Sequence, residues 1–179
     1  MHSIYGSYMS EHIFTKAPKL GFSSDCSDEI KILEDNFEKY HKEIAGFIVE
    51  PIVQGAGGMR IYNPEYLKKA RELCTKYDVL LILDEIATGF GHTGLMFAYE
   101  HANIKPDILT LGKGLTGGYM TMAAMITSRN ISEVISNSEI GALMHGPTFM
   151  ANPLACSVAN ASIDLLLESN WQENVKKIE

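Results

Sequence analysis

Short apolar runs that stop at a charged residue recur along the middle of the chain. Residues 79–83 (VLLIL) run directly into Asp84, and residues 108–111 (ILTL) precede Lys113 by one glycine. Apolar runs of four to eight residues are typical of buried parallel strands, and open α/β sheets bind ligands at the carboxyl ends of such strands. The pattern therefore predicts that Asp84 and Lys113 share one crevice at the edge of a parallel sheet.

Helical periodicity alternates with these strands. Asn63 and Pro64 form a cap and a first residue for a helix that runs to about Tyr77, directly before the strand at 79–83. Strands that alternate with helices predict an α/β fold with a mostly parallel sheet and helices on both faces. The other predicted elements are helices at 27–41, 96–101, 131–135 and from Pro153 onward, and strands at 44–49 and 122–127.

A third acidic residue and two glycine-rich segments belong to the same predicted edge. Glu50 closes the strand at 44–49, and the loop at 54–58 (QGAGG) follows it. A second glycine-rich loop, 88–94 (TGFGHTG), comes after Asp84. Because right-handed crossovers bring the carboxyl ends of parallel strands to one edge, Glu50 is predicted to converge with the acid and the lysine.

An acid and a lysine in one crevice indicate cofactor chemistry. A lysine attacks carbonyl groups when desolvation or a neighbouring charge favours its neutral amine, and an aspartate can keep the pyridine nitrogen of pyridoxal phosphate protonated. Glycines on both sides of the lysine leave room for a bulky ligand. Taken singly, Asp84 is better explained as a helix cap and Lys113 as a solvated loop residue, and only the pair, with glycines on both sides, favours the cofactor interpretation.

Two alternatives belong to other classes. An apolar run that ends in Asp-Glu is also found at the Mg²⁺ site of P-loop NTPases, but the phosphate loop requires G-x-x-x-x-G-K-[ST]. Here Asp107 stands at its first glycine and Gly114 at its Ser/Thr. The other alternative is a catalytically silent α/β domain. The six histidines show no i, i+4 pairing, and no metal site is predicted.

Composition and charge limit the kinds of partner that the protein is expected to bind. The 179 residues are 46% hydrophobic, which is enough for one core, and 22 acidic against 15 basic residues give a net charge of −7. Without a basic cluster, a nucleic-acid partner is not expected. Without an apolar run near the about 20 residues that span a bilayer, we expect no membrane association and a cytoplasmic protein. The three cysteines are expected to be reduced thiols.

The segment 145–149 (HGPTF) carries a separate signal. A rigid Gly-Pro turn followed by a hydroxyl and free backbone N–H groups can hold a phosphate. On spacing alone, a simple turn before the next helix explains it equally well.

Five segments together resemble the class III aminotransferases of the fold type I pyridoxal-phosphate superfamily. The most specific features within the class, at 54–60 (QGAGGMR), 117–121 (GGYMT) and 146–150 (GPTFM), are similar to its biotin-biosynthesis branch, and Ala87 also favours that branch. The five segments cover most of residues 44–160: 47–58 (FIVEPIVQGAGG), 66–74 (YLKKARELC), 80–94 (LLILDEIATGFGHTG), 106–118 (PDILTLGKGLTGG) and 145–156 (HGPTFMANPLAC).

The resemblance implies roles for several positions. Lys113 matches the lysine that binds pyridoxal phosphate covalently and, once freed by substrate, shuttles a proton. Asp84 matches the acid paired with the pyridine nitrogen, and Ile86 the side chain packed on the ring. Glu50 matches a position in the shell of residues around the active site. His92 stands where the family usually has Arg, so a titratable ring replaces an always-charged group near the cofactor pocket.

The resemblance also implies a shared site and a reaction. Pro147 and Thr148 match a phosphate contact made across a homodimer interface, and Gly146 lines the substrate pocket. The branch moves the amino group of S-adenosylmethionine to 8-amino-7-oxononanoate, giving 7,8-diaminononanoate. A diamine or ω-amino-acid aminotransferase of the same class is the alternative.

Finally, the resemblance implies an incomplete large domain. Residues 1–43 are expected to lead into the core as a loop and helix, 44–160 to form the pyridoxal-phosphate-binding core, and 161–179 to lead towards a small domain. Family members are more than twice as long, so we expect the isolated 179-residue chain to be inactive.

Overall fold

A four-stranded sheet forms the centre of the computed structural model, which describes residues 11–178. A small antiparallel pair lies outside this sheet. In chain order the strands are β1 (Gly46–Val49), β2 (Val53–Gln54), β3 (Arg60–Ile61), β4 (Leu80–Asp84), β5 (Ile108–Leu111) and β6 (Ala124–Thr127). The order across the sheet is β1-β4-β5-β6, and β2 pairs with β3.

The strand pairing confirms an α/β fold with a mostly parallel sheet. β1 and β4 are parallel, with Val49 opposite Leu83, and β4 and β5 are parallel, with Asp84 opposite Thr110. Only β6 runs antiparallel to its neighbour within this sheet. The carboxyl ends of β1, β4 and β5 therefore lie at one edge.

The predicted helices occur, with one change of type. The segment predicted as a helix at 96–101 is a 3-10 helix at Ala98–Ala102, and a second 3-10 helix, Lys113–Thr116, follows β5. Within residues 11–178, no helix is both long enough and apolar enough to cross a bilayer. The α-helices are α1 (Ser27–Tyr40), α2 (Pro64–Tyr77), α3 (Arg129–Ser136), α4 (Pro153–Glu168) and α5 (Trp171–Ile178).

Local sequence signals define α2. The Asn63 side chain accepts a hydrogen bond from the Glu65 N–H (2.9 Å), and Pro64 occupies the first helical position, where no N–H is needed. Asp78 ends the helix in the left-handed conformation. The chain then enters β4 at once, as the apolar pattern predicts.

The core lies between α1, α2 and one face of the sheet. Leu81 and Leu83 of β4 are fully buried, whereas Leu80 and Ile82 are only half-buried. The strand therefore buries one face more deeply than the other, as alternation of side chains along a strand requires. Other deeply buried members of this core are Leu33, Phe37, Tyr66, Leu67, Ala70 and Cys74.

An ion pair joins α2 to the sheet. Arg71 Nη1 lies 2.6 Å from Asp107 Oδ2, and the same oxygen accepts the Leu81 N–H at 2.7 Å. Asp107 directly precedes β5, so this carboxylate fixes the start of β5 against the start of β4. β4 then ends opposite Thr110, one residue before the end of β5.

The division into three segments stays a prediction. Its first boundary, at 43/44, falls between α1 and β1, and its second, at 160/161, falls inside α4. The first ten residues of the predicted initial loop belong to the part of the chain that the structure does not describe.

All three cysteines carry free thiols.

Candidate active site

Asp84 is the last residue of β4, and its side chain is held in place by two donors. Oδ1 accepts hydrogen bonds from the Ile86 N–H (3.1 Å) and from Thr110 Oγ1 (3.3 Å). Within residues 11–178, the structure records no donor on Oδ2. Hydrogen bonds to Oδ1 thus orient the half-buried carboxylate, and Oδ2 remains available to accept another hydrogen bond.

Lys113 lies just past the end of β5 in a strained backbone conformation. Its φ of 42° is in the left-handed region, which costs a lysine about 1 kcal/mol and is rare outside turns and functional sites. It opens the 3-10 helix that ends at Thr116, and Gly117 caps that helix at a φ of 59°. The tight turn leaves the lysine exposed at the sheet edge.

Ile86 connects the segment after Asp84 to the segment before Lys113. A Cβ atom on Gly112 would lie 3.3 Å from Ile86 Cγ2 and 3.6 Å from the Met122 carbonyl oxygen. Ile86 therefore packs directly against the backbone at Gly112, and a larger residue there would push it away. Asp84, Ile86 and Lys113 are brought to one region by the pairing of β4 with β5.

His92 and Lys113 line a common cavity of about 770 Å³, whose walls include Phe90 and Gly114. The His92 Nδ1 lies 2.7 Å from the Gly89 carbonyl oxygen, so Nδ1 carries the proton and donates it. A Cβ on Gly114 would lie 3.4 Å from His92 Cε1. His92 is thus a neighbour of the lysine turn, whereas Asp84 does not line this cavity.

Glu50 follows β1 and stands next to Asp84 across the strand pairing. Its Oε1 accepts the Gly55 N–H at 3.2 Å, and its carbonyl accepts the Tyr62 hydroxyl at 2.8 Å. Burial raises the pKa of Tyr62 well above its usual value. Glu50 therefore organises the glycine-rich loop 54–58, and the structure adds no contact with the lysine.

The segment that carries Gly146, Pro147 and Thr148 makes no hydrogen bond or ion pair with these residues in the part of the chain that the structure describes. All three are exposed, and the local structure is a turn in which the Met150 N–H donates to the Pro147 carbonyl oxygen (2.9 Å). The structure records no contact between them and Asp84 or Lys113. Within one chain the described residues do not assemble the whole predicted site.

Two polar residues at this edge were not singled out by sequence reasoning. Thr110 lies inside the apolar run 108–111, where a hydroxyl is itself a signal. Glu85 is fully buried, and burial raises its pKa, while hydrogen bonds from Thr88, Ala98 and Tyr99 oppose that rise. No pattern in the sequence separates its role from that of the acid before it.

The residues at the ends of β4 and β5 suit an organic cofactor. Among residues 11–178, no three His, Cys, Asp or Glu side chains form a group suited to a metal. The residues fit pyridoxal phosphate, since a carboxylate with one uncommitted oxygen ends β4 and an exposed lysine lies two residues past the end of β5. Gly118 leaves space beside the lysine turn, because a Cβ there would meet no atom within 4 Å.

Comparison with known proteins agrees with this chemistry. Residues 1–179 match the family described as aminotransferase class-III. A solved transaminase structure from the marine bacterium Virgibacillus superimposes with a TM-score of 0.80 at 34% identity, over 97% of this chain and 39% of that one. The sheet described above is therefore shared with class III aminotransferases of fold type I.

Relatives in two Buchnera aphidicola subspecies are more similar in sequence. The chain is 50% identical over 180 residues to the adenosylmethionine-8-amino-7-oxononanoate aminotransferase of subspecies Schizaphis graminum, covering 100% of this chain and 42% of the relative. It is 51% identical over 179 residues to the protein of the same name from subspecies Acyrthosiphon pisum, covering 99% and 42%. The chain spans about two fifths of the length of these relatives.

Proposed function

The chain belongs to the class III aminotransferases, and we propose that it carries the catalytic centre of an enzyme that aminates 8-amino-7-oxononanoate with S-adenosylmethionine as amino donor. The observation that carries the chemistry is the position of Asp84 and Lys113 at the ends of two neighbouring parallel strands. The substrates are supported by about 50% identity to two relatives whose names state them. The product is 7,8-diaminononanoate.

Each residue at the sheet edge has a distinct task in this proposal. Pyridoxal phosphate, when bound, supplies a carbonyl that can exchange amino groups and a ring that withdraws electrons from the reacting carbon. Lys113 would hold the cofactor covalently through Nζ and, when released, would carry a proton on Nζ. Asp84 would accept a charge-assisted hydrogen bond from the pyridinium N–H and so keep the proton on that nitrogen. Ile86, which packs on Gly112, would support one face of the ring.

Absorbance tests the lysine assignment. The complete gene product, titrated with pyridoxal phosphate, should develop a band near the visible edge that Lys113→Ala abolishes. Lys105→Ala is the matched control, because Lys105 is an exposed lysine on the chain leading into the same strand. If wild type and Lys113→Ala bind the cofactor with the same spectrum, the covalent role of Lys113 is wrong.

A donor screen tests the substrates. With 8-amino-7-oxononanoate as acceptor, S-adenosylmethionine should support turnover, whereas ornithine, 4-aminobutyrate and lysine should not. A response to one of these three alone would assign the protein to the diamine or ω-amino-acid branch of the class instead.

We propose further that the active enzyme is a homodimer with shared sites. The support is an exposed segment around Gly146, Pro147 and Thr148 that also exposes large apolar side chains: Met144 is 84% exposed and Phe149 is 81% exposed. Exposed apolar side chains next to a predicted phosphate contact fit a surface covered by a second copy. Thr148 of each copy would then belong to the site that contains Lys113 of the other copy.

Subunit mixing tests the shared site. Lys113→Ala and Thr148→Ala should each be nearly inactive alone. Mixed and allowed to exchange, they should regain activity, because one site of each mixed dimer carries neither substitution. Mixing Lys113→Ala with Asp84→Ala is the control, since both residues come from one copy and no intact site can form. If both mixtures regain activity equally, or if neither regains any, the active site is not shared between two copies.

A further inference from the structure

Glu85 is a buried acid that the proposed chemistry does not use. It is 0% exposed and lies between Asp84 and Ile86 in the sequence. A carboxylate is costly to bury because the protein interior solvates it less well than water, and an apolar side chain of similar size fills space without that cost. The position therefore calls for a reason beyond packing.

Both carboxylate oxygens of Glu85 accept hydrogen bonds. Oε2 accepts them from Thr88 Oγ1 (2.6 Å) and the Ala98 N–H (3.0 Å), and Oε1 accepts one from the Tyr99 N–H (2.9 Å). Ala98 and Tyr99 begin the 3-10 helix, and the first N–H groups of a helix have no partner inside it. Glu85 thus caps this helix from the end of β4.

The backbone of Glu85 is fixed as well. Its N–H donates to the Thr110 carbonyl oxygen (3.0 Å), which extends the β4–β5 pairing one residue past Asp84. Its carbonyl oxygen accepts the Gly89 N–H (3.0 Å) and closes the turn into the glycine-rich loop. Glu85 therefore joins β5, the loop and the 3-10 helix.

The two neighbours of Glu85 contact a different part of the molecule. Asp84 accepts a hydrogen bond from Thr110 Oγ1 of β5, and Ile86 packs on Gly112 just past β5. The Glu85 side chain instead accepts its three hydrogen bonds from the loop and the 3-10 helix. These three hydrogen bonds therefore restrain the backbone of the turn that begins directly after Asp84 and carries Ile86.

We propose that Glu85 is a positioning residue for the cofactor site. Its hydrogen bonds to the loop and to the 3-10 helix hold Asp84 and Ile86 in the orientation that receives the ring. This inference rests on the proposed function, since it concerns how the same site is kept in shape. Glu85 itself touches neither cofactor nor substrate and takes no part in proton transfer.

Three single substitutions separate positioning from general stability. Glu85→Gln keeps the shape but has one acceptor oxygen, so its amide NH₂ must face a backbone or hydroxyl donor. Thr88→Val removes one of the three donors and keeps the volume. Glu29→Gln is the matched control: Glu29 is also buried (6% exposed) and its Oε1 lies 2.8 Å from Lys16 Nζ, but it belongs to α1.

The test measures cofactor affinity and amide exchange on the complete gene product. In Glu85→Gln, the dissociation constant of pyridoxal phosphate should rise about tenfold, and by about threefold in Thr88→Val, in line with the loss of hydrogen bonds to a charged group. Glu29→Gln should stay within about twofold of wild type. In cofactor-free protein, the Ile86, Gly89 and Tyr99 amides should exchange faster in Glu85→Gln only.

Each outcome decides the question. Wild-type affinity and wild-type exchange in a folded Glu85→Gln protein would overturn the proposal, and so would an equal loss of affinity in Glu29→Gln. If Glu85→Gln does not fold, wild-type affinity in Thr88→Val overturns it and a raised dissociation constant supports it. If wild-type protein binds no pyridoxal phosphate, the proposed function fails, while the exchange of the cofactor-free protein still reports whether Glu85 orders the segment.

Discussion

The Thr110 hydroxyl donates a hydrogen bond to Asp84 Oδ1 (3.3 Å) from the directly opposite position of the neighbouring strand. The same hydroxyl lies 3.5 Å from the Leu83 carbonyl oxygen, so its single proton is shared between two acceptors. Shared, long hydrogen bonds are weak, and the bond orients the carboxylate more than it stabilises the fold.

Removal of this hydroxyl should lower activity modestly. In Thr110→Val, we expect kcat/KM to fall about three- to fivefold, because one weak hydrogen bond contributes about 0.5–1 kcal/mol. Thr110→Ser keeps the hydroxyl and should retain most of the activity. Steady-state kinetics of the two variants make the comparison, and equal activity of Val and Ser would show that the hydroxyl does not orient Asp84.

Gly114 should tolerate a methyl group less well than Gly146. A Cβ on Gly114 would lie 3.1 Å from Phe90 Cδ2, and Phe90 cannot easily yield because its ring packs edge-on against Phe97, with ring centroids 5.8 Å apart. We expect Gly114→Ala to lower the free energy of unfolding by about 1–3 kcal/mol. A Cβ on Gly146 meets no atom within 4 Å, so Gly146→Ala should change it by less than about 0.5 kcal/mol. Urea unfolding measures both, and equal losses would contradict the packing at Gly114.

Two histidines hold the glycine-rich loop in similar ways, but only His92 lines the cavity. His92 Nδ1 donates to the Gly89 carbonyl oxygen, and His101 Nε2 lies 2.9 Å from the Thr93 carbonyl oxygen. We expect His92→Phe and His101→Phe each to cost about 0.5–1.5 kcal/mol of unfolding free energy. Only His92→Phe should also change the KM for the amino donor. A KM change of the same size in both variants would mean that loop order alone matters.

The stability of the fold should depend on pH through two buried acids with opposite shifts. Lys16 lowers the pKa of Glu29 below its ordinary value of 4.5. The stability that Glu29 contributes is thus present above pH 4.5 and is lost as the pH falls through the lowered pKa. Glu29→Gln should be less stable than wild type at neutral pH, and the two urea-unfolding curves should converge below pH 4.5.

Glu85 shifts in the other direction, since burial raises its pKa above 4.5. Its contribution is greatest below pH 4.5 and is lost as the pH rises through the raised pKa. The advantage of wild type over Glu85→Gln should therefore grow as the pH falls from 7 to 4.5. An advantage that shrinks over this range would mean that the folded-state pKa of Glu85 is not raised.

The sequence predicts best those elements whose signals are local. The bounds of α2 follow from Asn63 and Pro64, which act on the residues beside them. The 3-10 helix at Ala98–Ala102 was predicted as an ordinary short helix, because its start is fixed by Glu85, 13 residues earlier in the chain. The sequence predicts the loop at 54–58 but not the pairing of β2 with β3 on either side of it, since two-residue strands carry no period.

The candidate site shows the same difference between local signals and long-range contacts. Strand-end reasoning predicts that Asp84 and Lys113 lie at one edge, because pairing of parallel strands follows from the apolar pattern, and the structure has them at the ends of paired strands. The loop contacts of Glu50 and the exposed position of Thr148 depend on side-chain contacts and chain partners that no pattern encodes.

The left-handed backbone at Lys113 sets stability against reactivity at a single position. Glycine or asparagine would adopt a φ of 42° at lower energy than lysine does. Laboratory evolution that rewards only heat resistance would therefore tend to discard this lysine, and with it the amine on which the proposed chemistry depends. A library selected for stability and a library selected for growth without biotin should consequently diverge at residue 113.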